Sequence, residues 1–127
     1  MISDISIVIP IYNEQGNIIQ LIKEVRAALE KKLNYEIIVV DDGSDDNTYE
    51  VMNKIKKINK NITIISHKKN YGQSIGLRTG IIEANCEYIV TLDGDGQNDP
   101  RDILKLINSF DTGVSFMMVI GNRVNRI

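Results

Sequence analysis

With 127 residues, the chain has the length of a single domain, 1–127, and can bury a core without disulfides or a structural metal. Its 43% apolar and 25% charged residues are ordinary for a soluble globular protein. Fifteen Lys and Arg against 17 Asp and Glu leave a net charge of −2, which excludes the basic field of a nucleic-acid binder and a polybasic membrane anchor.

In chain order, the first predicted strand is Ile5 to Pro10 (ISIVIP). The opening MISDISIVIPIYNE lacks the basic flank and apolar length of a signal peptide. Ile18, Ile22, Val25 and Leu29 then fall on one stripe of a helix. A second strand, Glu36 to Val40 (EIIVV), precedes a helical pattern at Val51, Ile55 and Ile58, with Ser44, Asp45, Asp46 and Asn47 available as caps. The third strand is Ile62 to Ser66 (ITIIS). It is followed by Leu77, Ile81 and Ala84 at helical spacing, with Gly76 and Gly80 beside them to let the helix approach a sheet closely. Tyr88 to Leu92 (YIVTL) is the fourth strand. Ile103, Ile107 and Phe110 mark a fourth helix, with Asp99 as cap, Pro100 in the first turn and Asp102 near the positive helix end. Val114 to Ile120 (VSFMMVI) is a weaker fifth strand candidate.

The strands are nearly continuous in apolar residues, as strands covered on both faces are. Alternation with helices predicts an α/β fold, an open and mostly parallel sheet with helices on both faces. No apolar run reaches the ~18 residues of a bilayer span. Cys86 is the sole cysteine and His67 the sole histidine, so an internal disulfide is excluded and a His/Cys zinc site is disfavoured. A reducing, cytoplasmic setting is the expectation, with attachment at the membrane face left open.

Ligands of such sheets bind beyond the carboxyl ends of the strands. Here those ends read Pro10-Ile11-Tyr12-Asn13-Glu14, then Asp41-Asp42-Gly43-Ser44, then Asn70-Tyr71-Gly72-Gln73, then Asp93-Gly94-Asp95-Gly96-Gln97-Asn98-Asp99-Pro100. A strand breaking at Gly94 can turn the carboxylates of Asp93 and Asp95 toward one point as oxygen ligands of Mg²⁺ or Mn²⁺. A polar turn with a helix cap accounts for the same DGDG when it stands alone. An EF-hand is excluded because no glutamate occupies the twelfth loop position counted from Asp93. A receiver domain would need an Asp after the third strand, where this chain has Ser66-His67-Lys68. Tyr12 offers an aromatic face for a base, or simply packs. Gly72 and Gly76 look like half of a phosphate loop. Neither GxGxxG nor GxxxxGK[ST] follows the first strand, which argues against dinucleotide-binding and P-loop folds.

Taken together, PIYNE (Pro10 to Glu14), VDDGSDDNT (Val40 to Thr48) and LDGDGQNDP (Leu92 to Pro100) resemble the motifs of family-2 glycosyltransferases of the GT-A fold. LDGDGQNDP is similar to the DXDxQ-x-x-P motif of dolichyl- and polyprenyl-phosphate sugar transferases, and IGNR (Ile120 to Arg123) to their Gly-x-Arg segment. The resemblance covers essentially the whole chain. It implies a metal-dependent enzyme moving a sugar from a UDP- or GDP-sugar to a polyprenyl phosphate. Pro10, Tyr12, Glu14, Val39 and Asp41 would surround base and ribose, and Asp93, Gly94 and Asp95 would lie along the diphosphate. The metal set would be Asp93, Asp95 and Gln97, with Arg123 facing phosphate; Asp93, Asp95 and Arg123 would carry catalysis. No catalytic base is assigned, because an anionic phosphate acceptor needs positive charge and alignment more than deprotonation. Family members continue beyond the Gly-x-Arg segment. The resemblance thus implies an acceptor side supplied by further sequence or a separate chain, and an uncovered apolar edge suited to a homodimer. A non-catalytic nucleotide-binding module and a family-2 enzyme with a saccharide acceptor are the alternatives.

Overall fold

The computed structural model describes residues 2–96 and 98–109. Gln97, Phe110, the Val114 to Ile120 strand candidate and Arg123 lie outside the described residues. The elements in chain order are β1 (Asp4–Ile11), α1 (Ile18–Leu29), β2 (Asn34–Asp41), α2 (Thr48–Ile58), β3 (Ile62–Ser66), α3 (Gln73–Glu83), β4 (Tyr88–Thr91) and α4 (Asp102–Asn108). All strand pairings are parallel, and the order across the sheet is β3-β2-β1-β4. The chain thus winds outward from β1 to β3, then crosses back to lay β4 on the other side of β1. That reversal puts a topological switch point beside the end of β1.

Alternation along the strands sorts the two faces. Ile5, Ile7 and Ile9 of β1, Ile37 and Val39 of β2 and Ile62 of β3 join the buried side chains of α1, Met52 of α2 and Ile103 of α4 in the main core. Val8, Ile38 and Val40 form a smaller core on the opposite face with Leu77 and Ala84. Burial on both faces accounts for the unbroken apolar runs, and β1 is buried from Ile5 to Ile11.

The two faces are closed by different means. The α1 stripe buries Ile18, Leu21, Ile22, Val25, Ala28 and Leu29, as the sequence spacing predicts. On α3 the buried residues are Gly76 and Gly80, while Ile81 is 44% exposed, contrary to the apolar stripe expected there. A Cβ on Gly80 would stand 2.3 Å from Val8 Cγ1, and one on Gly76 3.2 Å from Pro10 Cβ. Close approach of the helix backbone at the two glycines, together with Leu77 and Ala84, seals this face. Ile58, expected on the inner stripe of α2, ends the helix and is 83% exposed; Met52 takes the fully buried place.

The end of α3 is fastened by a polar cluster. Ser6, fully buried, donates to Glu36 Oε2 at 2.6 Å, and Glu36 also accepts from the Asn85 backbone N–H at 2.7 Å. Burial opposes ionisation of Glu36, but these hydrogen bonds outweigh it and hold its pKa below the ordinary glutamate value.

Helix α4 begins later than the sequence suggests. Asp99 and Pro100 form a preceding turn, with Asp102 N bonded to Asp99 O at 2.9 Å. The Asp99 carboxylate accepts from Arg101 N at 3.0 Å and pairs with the Arg101 guanidinium at 2.7 Å. It therefore closes a local Asx-type turn instead of capping the helix. Asp102 does stand in the first turn of α4. Among the described residues no helix is long and apolar enough to cross a membrane.

Candidate functional site

The carboxyl ends of β1 and β2 are laced together. Asn13 N donates to Ser44 Oγ at 2.9 Å, Asp45 N to Asn13 Oδ1 at 3.0 Å, and Asn47 N to Gln15 Oε1 at 2.9 Å. Glu14 N donates to the buried Thr48 Oγ1 at 3.0 Å, and Thr48 N in turn donates to Asp46 Oδ1 at 2.9 Å. Asp46 thus supplies the acceptor at the start of α2, while Asn47 makes no side-chain cap bond. Asn13 adopts φ 53°, a left-handed conformation that asparagine tolerates because its amide bonds locally.

Asp41 and Asp42, adjacent in sequence, point to opposite faces. Asp41 is buried and accepts from Ser44 N at 3.0 Å, folding its own loop. Asp42 is buried on the α3 side, where it accepts from His67 Nδ1 at 2.8 Å, Tyr71 N at 2.9 Å and Gly72 N at 2.8 Å. Desolvation raises the Asp42 pKa, yet the bonds from His67 and the two amides win and hold it below the ordinary carboxylate value.

The fourth loop leaves β4 and packs its glycine on the end of β1. A Cβ on Gly94 would stand 2.4 Å from Ile11 Cγ2 and 3.2 Å from Pro10 O. Glycine is required there for close approach. Asp93 N donates to Asn98 Oδ1 at 2.8 Å, and Asp93 Oδ1 accepts from Gln73 Nε2 at 2.9 Å, a bridge from the start of α3.

Between these walls lies a cleft of about 380 Å³, lined by Pro10, Ile11, Tyr12, Glu14, Asp42, Asn70, Gly72, Gln73, Asp93, Gly94 and Asp95. It opens where the strand order reverses. Pro10, Tyr12, Glu14, Asp93, Gly94 and Asp95 are thus brought together as the sequence reading expects. Val39 and Asp41 are not: both are buried on the α1 and α2 side of β2. Asp42 lines the cleft in their stead, and the period of two along β2 is the signal that could have found it. Gln73 was likewise absent from the sequence-derived set. The described lining carries four carboxylates (Glu14, Asp42, Asp93 and Asp95) and no Lys or Arg.

Whether such a lining suits a divalent cation depends on what else enters. Among the described residues no three His, Cys, Asp or Glu side chains form a metal cage. Mg²⁺ and related ions bound with nucleotides commonly take only one or two carboxylates, with phosphate oxygens and water completing the shell. Asp93 and Asp95, flanking a glycine at the mouth of an acidic cleft, fit that second arrangement.

Residues 6–126 match the sequence description of Glycosyl transferase family 2. The chain belongs to this family. Relatives of this family-2 chain include an undecaprenyl-phosphate 4-deoxy-4-formamido-L-arabinose transferase of Proteus mirabilis, 35% identical over 96% of this chain and 37% of the relative. The protein of that name in Salmonella paratyphi A is 38% identical, over 88% of this chain and 35% of the relative. The family-2 chain therefore spans about a third of the length of these curated relatives. Among solved structures, a crystal structure of S. aureus TarS 1-349 superposes with a TM-score of 0.70 at 23% identity, covering 84% of this chain and 31% of that one. The mannosyltransferase PcManGT from Pyrobaculum calidifontis, in complex with GDP-Man and Mn2+, gives a TM-score of 0.70 at 24% identity, covering 79% of this chain and 30% of that one. The fold is accordingly the GT-A fold expected from the strand-end motifs.

Proposed function

We propose that this chain forms the donor side of a polyprenyl-phosphate sugar transferase and binds a nucleoside-diphosphate sugar together with Mg²⁺ or Mn²⁺. The observation that carries the reading is the charge of the cleft: four carboxylates and no described cation line it. A diphosphate is repelled by such a lining unless a divalent ion enters with it. The family, the undecaprenyl-phosphate transferases among its relatives and the bound GDP-Man and Mn2+ of a structural neighbour support the reading.

In this reading Tyr12, exposed at the cleft mouth, offers its ring to the base, and Glu14 and Asp42 accept from base or ribose. Gly94 leaves room for the diphosphate backbone to pass close to β1. Asp93 and Asp95 would hold the cation, with Gln97 as the further ligand that the motif implies. The chemistry a bound divalent cation supplies is neutralisation of the charge that develops on the departing nucleoside diphosphate. Gln73 fixes one oxygen of Asp93 and so limits how that carboxylate can turn. Arg123 would face a phosphate of donor or acceptor. Transfer to polyprenyl phosphate belongs to the reading of the whole protein, as does attachment at the cytoplasmic membrane face. Self-association through the exposed Ile75, Ile81 and Ile82 of α3 accompanies it, and sedimentation as a monomer at high concentration would remove that part.

Calorimetric titration of UDP- and GDP-sugars, with and without Mn²⁺, tests the central claim. We expect binding only with the metal, and a loss on the order of a hundredfold in Asp95→Ala. Equal affinity with and without metal would overturn the reading.

A further inference from the structure

Beneath the cleft, Asp42, His67 and Thr79 form a continuous line of hydrogen bonds. His67 Nδ1 lies 2.8 Å from Asp42 Oδ1, and His67 Nε2 lies 2.9 Å from Thr79 Oγ1. The side chains of His67 and Asp42 are 11% and 6% exposed. These distances are those of a nucleophile–histidine–carboxylate relay. Neither His67 nor Thr79 lines the cleft, so the line is a structural one. Thr79 Oγ1 donates its single proton to Ile75 O, one helical turn back, at 3.0 Å. The same hydroxyl lies within hydrogen-bond distance of His67 Nε2, so it is held from both sides. Asp42 accepts at both oxygens, from His67, Tyr71 N and Gly72 N. Asp42 can only accept, so His67 Nδ1 donates to it, and Nε2 shares a hydrogen bond with the Thr79 hydroxyl on the other side of the ring.

What this line holds is informative. Tyr71 and Gly72 lie in the loop between β3 and α3, the loop that carries Asn70, Gly72 and Gln73 into the cleft. Gly72, at φ 104°, takes a conformation closed to most residues, and its N–H is spent on Asp42. The edge of His67 meets the Tyr71 ring at 5.3 Å between centroids, and Lys69 Nζ lies 5.3 Å from the same ring. The next side chain, Gln73, reaches Asp93. No buried side-chain polar atom among the described residues lacks a partner, so the arrangement is closed.

We propose that His67 is a positioning residue of the donor cleft: clamped between Asp42 and Thr79, it fixes the carboxylate that hangs loop 70–73 against the cleft. The inference rests on the donor-binding reading for its effect on affinity, but its structural core can be tested without nucleotide. Donation to Asp42 couples strand β2 to helix α3 through one ring. Removal of the ring leaves a buried carboxylate short of a charge-assisted bond and frees the loop it holds.

The test uses the whole chain, with His67→Ala, His67→Gln and Thr79→Val. In His67→Ala we expect affinity for UDP or GDP with Mn²⁺ to fall about tenfold, and backbone amide exchange at Tyr71 and Gly72 to accelerate while exchange in β1 stays slow. His67→Gln, whose amide can still donate to Asp42, is expected to recover most of the loss. Unchanged exchange at Tyr71 and Gly72 in a folded His67→Ala chain overturns the proposal. If His67→Ala does not fold, Thr79→Val decides: accelerated exchange at the same amides supports the clamp, and wild-type exchange overturns it. A wild-type chain that binds no nucleotide removes the donor-binding reading, while the exchange results still decide the clamp.

Discussion

The two walls of the cleft are built differently. The wall from the ends of β1 and β2 is cross-tied by Asn13, Gln15, Ser44 and Thr48, each bonding a backbone amide of the opposite loop or supplying one to it. The wall bearing Asp93 and Asp95 packs Gly94 on Ile11 and is tied to α3 by the Gln73 bridge to Asp93. The contrast suits the parts assigned to them. A base and ribose are rigid groups best met by a preformed surface, whereas carboxylates that share a cation with a substrate must adjust as phosphate oxygens arrive. A rigid first wall also lets two loops from different strands act as one body.

Substitutions can break or sharpen this contrast. The largest expected effect lies behind the first wall. Gly43 sits at φ 74°, and a Cβ there would stand 2.5 Å from the carbonyl carbon of Lys69. Gly43→Ala meets backbone rather than a flexible side chain, and we expect a loss of about 3 kcal/mol in stability by urea unfolding. Next comes the second wall: Gly94→Ala pushes against Ile11 and should cost about 2 kcal/mol. Metal-dependent nucleotide binding should weaken further than that cost explains, because the loop that carries Asp93 and Asp95 is displaced. Affinity that follows stability alone would count against a role for this wall in holding the metal.

Thr48→Val removes the acceptor of the Glu14 amide with little change in volume. We expect it to cost about 1 kcal/mol and to speed amide exchange at Glu14, leaving exchange at Asp93 unaltered. Spread of the change to Asp93 would mean the walls are one unit. The mildest effect is one of acidity. Asp42 has a folded pKa below its ordinary value, so its contribution to stability is complete above the ordinary carboxylate range. That contribution is lost as pH falls through the lower, folded value. Acid unfolding of Asp42→Asn should therefore show a weaker pH dependence in that window than the parent chain, and an identical dependence would show that Asp42 is not stabilised by folding.

Much of this architecture was legible before any coordinates. Unbroken β-branched runs marked strands covered on both faces, and all four of those strands are present, with boundaries within two residues. The motifs at the strand ends named Pro10, Tyr12, Glu14, Asp93, Gly94 and Asp95, which do meet in one cleft. Helix α3 was less legible. Leu77 and Ala84 of the expected stripe pack on the sheet, and Gly76 and Gly80 give the close approach their size suggests, but Ile81 is left exposed. The Asp99 cap failed for a local reason: the carboxylate was taken by Arg101.

Sequence alone determined the class of fold, the edge of the sheet where the motifs gather and the acidic character of that edge, since each follows from local pattern and composition. Tertiary structure decided which of two adjacent aspartates enters the cleft. Asp41 and Asp42 differ by one step of the pleat, and a side chain's face is fixed only when the sheet acquires distinct layers above and below it. It decided, too, that His67 belongs to the site, because the residues that make it a clamp lie 25 positions before it and 12 after. No sequence period links those distances; only the crossing of α3 over β2 does.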